Sequence, residues 1–374
     1  MTTSQVDSER AAELAALREA VRDLSEGSGG VAAARRRLDA EPGGFDEQAW
    51  RLLGQEMGLA GLGIPEQSGG AGGGLAELVV VAEELGRSLL PVPFFSSTVL
   101  AGQLLAACPD APRSLLEQLA GAGALAAFAG LDADGCWRPD RLPVHATSAD
   151  GGWQLDGTAQ FVLDGTSATH LVVAASGPDG ADLYLVDAAA DGVARRALET
   201  IDATRSQAEV VFSAAPATAL TSGGNGAEIA TRVLDIACVV LAAEQVGGAA
   251  ACLDMAVEYA KVRTQFSRPL GSFQAIKHKL ADLLILVEMG RSAIDRALEA
   301  EGDPQRFADA AAVAKIWCSD AFAKAADENV HINGGTGFTW EHDAHLYFRR
   351  SRADQVCLGD AAVHRERLAT LLGW

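Results

Sequence analysis

The chain has 374 residues, more than one ordinary core needs, so two or three packed units are expected. Lys and Arg total 30 against 50 Asp and Glu, a formal charge of −20. That excess of acid argues against nucleic acid and anionic membrane surfaces as general partners, because both require a basic face.

The six cysteines are scattered, with no C-x-x-C pair, and read as reduced structural thiols. The charged N-terminus, MTTSQVDSERAAELAALREAV, lacks the apolar block of a signal peptide, and no uninterrupted apolar run is long enough for a bilayer. A cytoplasmic protein is expected. The basic run Arg35 to Arg37 reads as a solvated helix face.

From Ser8 to about Leu125 the apolar residues recur at steps of three and four, as in ERAAELAALREAVRDL, FDEQAWRLLGQEMGLAGL and LAELVVVAEELGRSLL, with the loop IPEQSGGAGGG between the last two. From about Ala126 to Ala219, β-leaning runs such as WQLDGTAQFVL and THLVVAAS alternate with DGG, DGT and GPDG turns, which predicts a small antiparallel β unit. Helix resumes at about Asn225 and runs to the end, broken at RTQFSRPLGSFQ, EGDP and NGGTGF. The fold class is mostly α with a middle β-domain: 1–125 helical, 126–219 β, 220–374 a helical bundle.

The proline-free segment from Ala227 to Arg263 places Val233, Ala237, Val240 and Leu241 on one stripe, and Glu244 falls on the same stripe. Burial makes a carboxylate a stronger base, so Glu244 is a candidate catalytic base; the alternatives are pairing with a nearby Arg, or a wet turn at the two glycines that follow. In RTQFSRPLGSFQ, Pro269 and Gly271 end the long helix and Ser272 is a plausible N-cap for the next. Free N–H groups at that helix start, the fork of Arg263, and the amides of Gln265 and Gln274 would suit a phosphate-bearing aromatic cofactor; a local ion pair is the plainer reading of the arginine. In ENVHINGGTGFTWEHDAHLYFRR, Gly334, Gly335 and Gly337 permit close backbone approach or a simple helix cap, and the histidines lack a carboxylate or cysteine at ligand spacing, so no metal is assigned.

In this order the motifs make the chain resemble the acyl-CoA dehydrogenase family over nearly its whole length, through GLAGLGIPEQSGGAGG, LDGTAQFVLDGTSATHLVVAA, VRTQFSRPLGSFQAIKHKLADL and VHINGGTGFTWEHDAHLYFRR. The resemblance implies a helical N-terminal domain, a β-barrel and a C-terminal four-helix bundle, assembled as a tetramer with FAD between subunits. It implies that Arg263, Gln265, Phe266 and Gln274 meet the pyrophosphate and adenosine of a neighbour's FAD, with His331, Gly334 and Gly335 approaching the same cofactor. The implied reaction is α,β-dehydrogenation of an acyl-CoA, with an electron-transferring flavoprotein as acceptor.

The chain also departs from the family. Leu358 stands where most members carry the base, and the usual alternative position holds Ala237, which leaves Glu244 as the acid on that stripe. Leu163 replaces the residue that hydrogen-bonds the flavin ring, and AFAGLDADGCW replaces the Thr-Glu-Pro stretch. Some actinobacterial members pair two different subunits around a reduced number of flavins, and these losses fit one such subunit. A non-catalytic partner completing another subunit's FAD site, and a flavin oxidase or monooxygenase on the same fold, are the alternatives.

Overall fold

The computed structural model describes residues 3–149 and 152–374, with side chains of the first helix from Ser8 onward; Asp150 and Gly151 of the expected DGG turn lie outside the described residues. The N-terminal helices are α1 (Thr3–Gly27), α2 (Val31–Arg36), α3 (Glu47–Trp50), α4 (Leu75–Ser88), α5 (Gly102–Ala107) and α6 (Arg113–Ala120). The strands are β1 (Ala126–Ala129), β2 (Val144–Ala149), β3 (Gly152–Leu163), β4 (His170–Gly177), β5 (Gly180–Asp187), β6 (Val193–Ala197) and β7 (Gln207–Ala219). Then come α7 (Gly226–Val262), the short strands β8 (Thr264–Gln265) and β9 (Arg268–Pro269), and helices α8 (Gln274–Ala300), α9 (Pro304–Asn333), α10 (Ala344–Val356) and α11 (Ala361–Leu371).

Two expectations change here. The run after Phe45 is not one helix: α3 gives way to a wide coil at Arg51–Glu56 and a tight turn at Leu59–Gly61, because Gly54, Gly58 and Gly61 break the hydrophobic repeat. The β unit is not wholly antiparallel, since β1 pairs with β4 in parallel and β2 touches β4 in parallel at His145 and Ser176. The pairings β4–β2–β3–β7–β5–β4 close a ring around Leu155, Leu171, Tyr184 and Phe212, with β1 and β6 added at its sides.

Helix α7 runs through the main core. It is long and apolar enough by composition to cross a bilayer, but 89% of its apolar stretch is buried inside the fold. The glycines following Glu244 are not a wet turn: Gly247 lies on the Glu83 carbonyl of α4 and Gly248 on the Phe322 ring of α9, so their missing Cβ atoms let the helices close. Buried Glu83 and Glu84 tie α4 to Arg18 and Arg22 of α1 and to Arg291 of α8, at 2.8–3.1 Å. The basic run is solvated at Arg36, whose side chain is 60% exposed, but it also makes tertiary and local contacts. Arg35 donates to the Trp340 carbonyl and Asp343, Arg36 to Asp46 at 3.2 Å, and Arg37 to the Glu41 carbonyl at 2.8 Å.

Candidate active site

A chamber of about 190 Å³ opens where the β ring, the coil before α5 and the end of α10 meet. Its walls are Leu100, Phe128, Leu131, Phe161, Leu163 and Leu358, and its polar margin is Asp134, Thr200, Gln207 and Cys357. Phe161 and Leu358 are held at φ of 57° and 60°, conformations that cost a side-chain-bearing residue of order 1–3 kcal/mol and that persist where the surroundings enforce them. The carbonyl of Leu358 accepts a hydrogen bond from the Nε2 of buried His364 at 3.0 Å. Burial drives the His364 imidazole toward the neutral form, with a pKa lowered to about 4.

Behind Leu163, which lines both spaces, lies a cleft of about 30 Å³ bordered by Phe95, Ser96, Asp164, Thr204, Arg205, Glu244 and Arg350. Glu244 is 7% exposed, and its Oε1 accepts from Arg205 and, at 2.5 Å, from Arg350. Arg350 also donates to Asp202 and to the Thr204 hydroxyl, each at 2.5 Å, and the Arg205 guanidinium sits 5.1 Å from the Phe95 ring centre. Burial alone would raise the Glu244 carboxyl, but Arg205 and Arg350 outweigh it and hold it below its ordinary value. Asp202 is lowered in the same way: Arg350 and Thr204 overcome its desolvation.

Asp354, fully buried on α10, is treated differently by the same cluster. Its nearest cation is Arg205, at 3.8 Å, and neither carboxylate oxygen has a hydrogen-bond partner among the described residues. Burial, only partly offset by Arg205 and reinforced by the negative Glu244, pushes it up to about 7. The Lys315 ammonium, also fully buried, is held by the Ser319 hydroxyl at 2.9 Å and the Asp354 carbonyl at 3.0 Å.

The expected base is therefore a member of an ion cluster. Of the readings open from the sequence, pairing of Glu244 with arginine is the one the geometry displays. That pairing makes Glu244 a weaker base, and Leu163 stands between it and the chamber. Glu258 forms an exposed pair with Lys261 at 2.6 Å.

Arg263, Gln265, Phe266 and Gln274 sit elsewhere, on and beside a hairpin that projects from the end of the bundle. Strands β8 and β9 pair Thr264 with Pro269 and Gln265 with Arg268. Phe266 and Ser267 between them take φ of 51° and 63°, the signs a type I′ turn demands and usually reserves for Asn or Gly. Arg268 lies over the Phe273 ring at 3.9 Å, and Phe266 meets the same ring edge-on, so the arm is braced although Phe266 is 87% exposed. Ser272 is not the N-cap. Its hydroxyl donates to the Pro269 carbonyl at 2.7 Å, Phe273 takes the cap position, and no side chain caps α8, whose first residue is Gln274.

His331, Gly334 and Gly335 are exposed at the end of α9. Helices α8 and α9 are antiparallel neighbours, tied by Lys279 and Glu328 at 2.6 Å, so this glycine turn and the hairpin share one end of the bundle. Among the described residues no group of three or more His, Cys, Asp or Glu could hold a metal ion.

The residues that the sequence did not flag are Asp202, Arg205, Lys315, Arg350 and Asp354. Arg205 and Glu244 are 39 positions apart and Arg350 and Glu244 are 106 apart, so no local spacing announces the cluster. The one available signal was the apolar stripe itself, which required a counter-charge for Glu244.

A helical N-terminal unit, a closed β ring and a helical bundle, with an apolar chamber at their junction, define the acyl-CoA dehydrogenase class. The acyl-CoA dehydrogenase N-terminal domain matches residues 11–126 and the C-terminal domain residues 224–372. The chain belongs to the acyl-CoA dehydrogenase family of oxidoreductases. It is similar to acyl-CoA dehydrogenase IpdE2 of Mycobacterium tuberculosis, 36% identical over 91% of this chain and 92% of that protein. It is also similar to acyl-CoA dehydrogenase FadE27 of the same organism, 32% identical over 89% and 90%. Among solved structures, the Tcur3481-Tcur3483 steroid ACAD matches with a TM-score of 0.87 and 33% identity, covering 97% of this chain and 98% of that one. The ChsE4-ChsE5 complex from Mycobacterium tuberculosis matches with a TM-score of 0.87 and 29% identity, covering 96% and 97%.

Proposed function

We propose that the chain is one subunit of a hetero-oligomeric, FAD-dependent acyl-CoA dehydrogenase, in which it lends a cofactor-gripping arm to a second dehydrogenase subunit. The observation that carries this reading is the contrast between the arm and the chamber. Arg263, Gln265 and Gln274 are exposed beside an uncapped helix start, with the braced but uncovered Phe266 at the tip. That donor set fits a diphosphate and an aromatic ring, and the turn at Gly334 and Gly335 offers a backbone floor at the same end. The chamber is the opposite case. Leu163 and Leu358, at the two positions where the resemblance calls for a ring hydrogen bond and a base, offer neither, and the polar groups Asp134, Thr200, Gln207 and Cys357 stand at its margin instead.

FAD, when bound, would supply the acceptor for the β-hydride of the acyl thioester. The residues of this chain would bind and orient it through the arm. Proton removal is assigned to the second subunit, and Glu244 to holding Arg205 and Arg350. The two-component names of the Tcur3481-Tcur3483 and ChsE4-ChsE5 relatives support the pairing. An electron-transferring flavoprotein is the acceptor this reading expects.

The test is the visible spectrum of the purified chain, alone and co-expressed with candidate dehydrogenase partners. Expected are a flavin band in the complex with fewer than one FAD per subunit, and its loss when Arg263 and Gln265 are both changed to Ala. A homotetramer that holds one FAD per subunit and turns over acyl-CoA by itself would refute the reading.

A further inference from the structure

The segment between β6 and β7 and helix α10 face each other through two ion contacts that run in opposite directions. Arg350 on α10 reaches Asp202 of the segment at 2.5 Å, and Arg205 of the segment points back toward Asp354, one turn further along α10. The first contact is made. The second stops short, because Nη1 of Arg205 is 3.8 Å from Oδ1 of Asp354, outside hydrogen-bond range. Among the described residues neither oxygen of Asp354 nor Nη1 of Arg205 has a hydrogen-bond partner, and the adjacent Ser206 hydroxyl has none either. Each of the two elements also carries part of the chamber wall. The segment holds Thr200 and Ile201 and leads into Gln207, while α10 holds Ala353 and Val356 and leads into Cys357 and Leu358.

The groups around Asp354 explain why the second contact is open. Arg205 and Asp202 face it from the segment, Glu244 from α7, Lys315 from α9, and Arg350 and Cys357 from its own end of α10. Arg350 donates to Asp202, Glu244 and Thr204. Lys315 and the Gln245 amide donate to the backbone carbonyl of Asp354, not to its carboxyl group. Arg205 is drawn the other way by Glu244, which accepts from its Nη2. A fully buried carboxylate with no donor in hydrogen-bond range is costly as an anion, so Asp354 keeps a proton, in line with a carboxyl pushed up to about 7. Once that proton leaves, the uncommitted Nη1 is the nearest cationic donor, and a movement of about 1 Å turns the gap into a charge-assisted hydrogen bond. The bond recovers part of the burial cost of the anion, not all of it.

We propose that Arg205 and Asp354 form a pH-operated tie between the β6–β7 segment and α10, open while Asp354 carries a proton and closed when it is ionised, so that the two parts of the chamber wall gain a second contact as the medium turns alkaline. Arg350 and Asp202 hold the junction at either pH and keep the movement small. The tie lies within the fold of this chain and stands whether or not the arm grips a flavin.

Two measurements on the full chain test it, one of distance and one of the proton. Crystal structures at pH 5.5 and pH 8.5 read the gap, which in wild type is expected to shorten from 3.8 Å to about 2.8 Å and in Asp354→Asn to stay the same at both. Infrared difference spectra across the same interval read the proton: wild type should lose a carboxylic-acid carbonyl band that Asp354→Asn does not lose. Arg205→Lys keeps a cation beside Glu244, but its compact ammonium cannot serve Glu244 and Asp354 together, so the band should disappear at a higher pH than in wild type. This variant carries the test if the Asn variant folds poorly. A gap of 3.8 Å at both pH values, a band loss that persists in Asp354→Asn, or an unchanged midpoint in Arg205→Lys would overturn the proposal. A wild type whose spectrum shows no such band to lose would overturn it too, since Asp354 would then be ionised throughout.

Discussion

Asp354→Asn should make the protein more stable, by roughly 4 kcal/mol at pH 8 and by only roughly 1–2 kcal/mol at pH 5. Asp354 is fully buried, and desolvation together with the negative Glu244 pushes its carboxyl from 3.8 to about 7 against the pull of Arg205. In the unfolded chain the same group ionises near its ordinary value. The folded state therefore holds a proton that the unfolded state has released. The resulting stability is fully present below the unfolded value and is lost as pH rises through the folded one.

At about 1.4 kcal/mol per pH unit the whole shift is worth roughly 4 kcal/mol, of which roughly 3 kcal/mol falls between pH 5 and pH 8. Asn reproduces the shape of the protonated acid but has no proton to lose. The stability difference between variant and wild type should accordingly move in favour of Asn by roughly that amount over this interval and level off above pH 7. Urea denaturation followed by circular dichroism at pH 5, 6, 7 and 8 measures it. A difference that is constant with pH, or an Asn variant that is the less stable at pH 8, would show that Asp354 is ionised in the fold and paired with its neighbours, and the reasoning would fail.

Arg350→Met removes a guanidinium that is 4% exposed and serves Asp202, Glu244 and Thr204 at once. Two buried carboxylates lose a counter-charge, and a loss of about 3–5 kcal/mol in unfolding free energy is expected, with Arg350→Lys recovering less than half because a compact ammonium cannot reach partners that the three nitrogens of a planar guanidinium meet in different directions. Gly247→Ala places a methyl on the Glu83 carbonyl where α4 crosses α7. A cost of about 1–3 kcal/mol is expected from forced helix separation, against a neutral or slightly favourable effect if the helices could part freely, read from the same denaturation curves.

Much of the architecture could be read along the chain, because helices with apolar stripes and strands with alternating residues announce themselves locally. The helix, β, helix order is of this kind, as are the exposed amides and arginine at the break between α7 and α8. The failures were equally local in origin. The stretch after Phe45 kept a helical repeat of apolar residues, yet its glycines outweighed it. Ser272 looked like a cap but turned its hydroxyl back to Pro269. Arg36 is solvated as read, but the contacts of Arg35 were out of view because Trp340 and Asp343 lie hundreds of residues away.

Glu244 shows where the two sources of information divide. The sequence by itself placed Glu244 on the apolar stripe of α7 and left open whether it would be dry, paired or wetted by the turn that follows. It also determined that leucine, not an acid, stands at 358, and that a positively charged hairpin follows the long helix. Only the tertiary structure decided what the buried acid would do. Arg205 comes from the segment before β7 and Arg350 from α10, and they converge on one oxygen of Glu244 while the other is left beside an oxygen-sized cleft. Periodicity is a property of neighbours along the chain, whereas the charge state and partners of a buried group are set by elements that packing brings together from far apart.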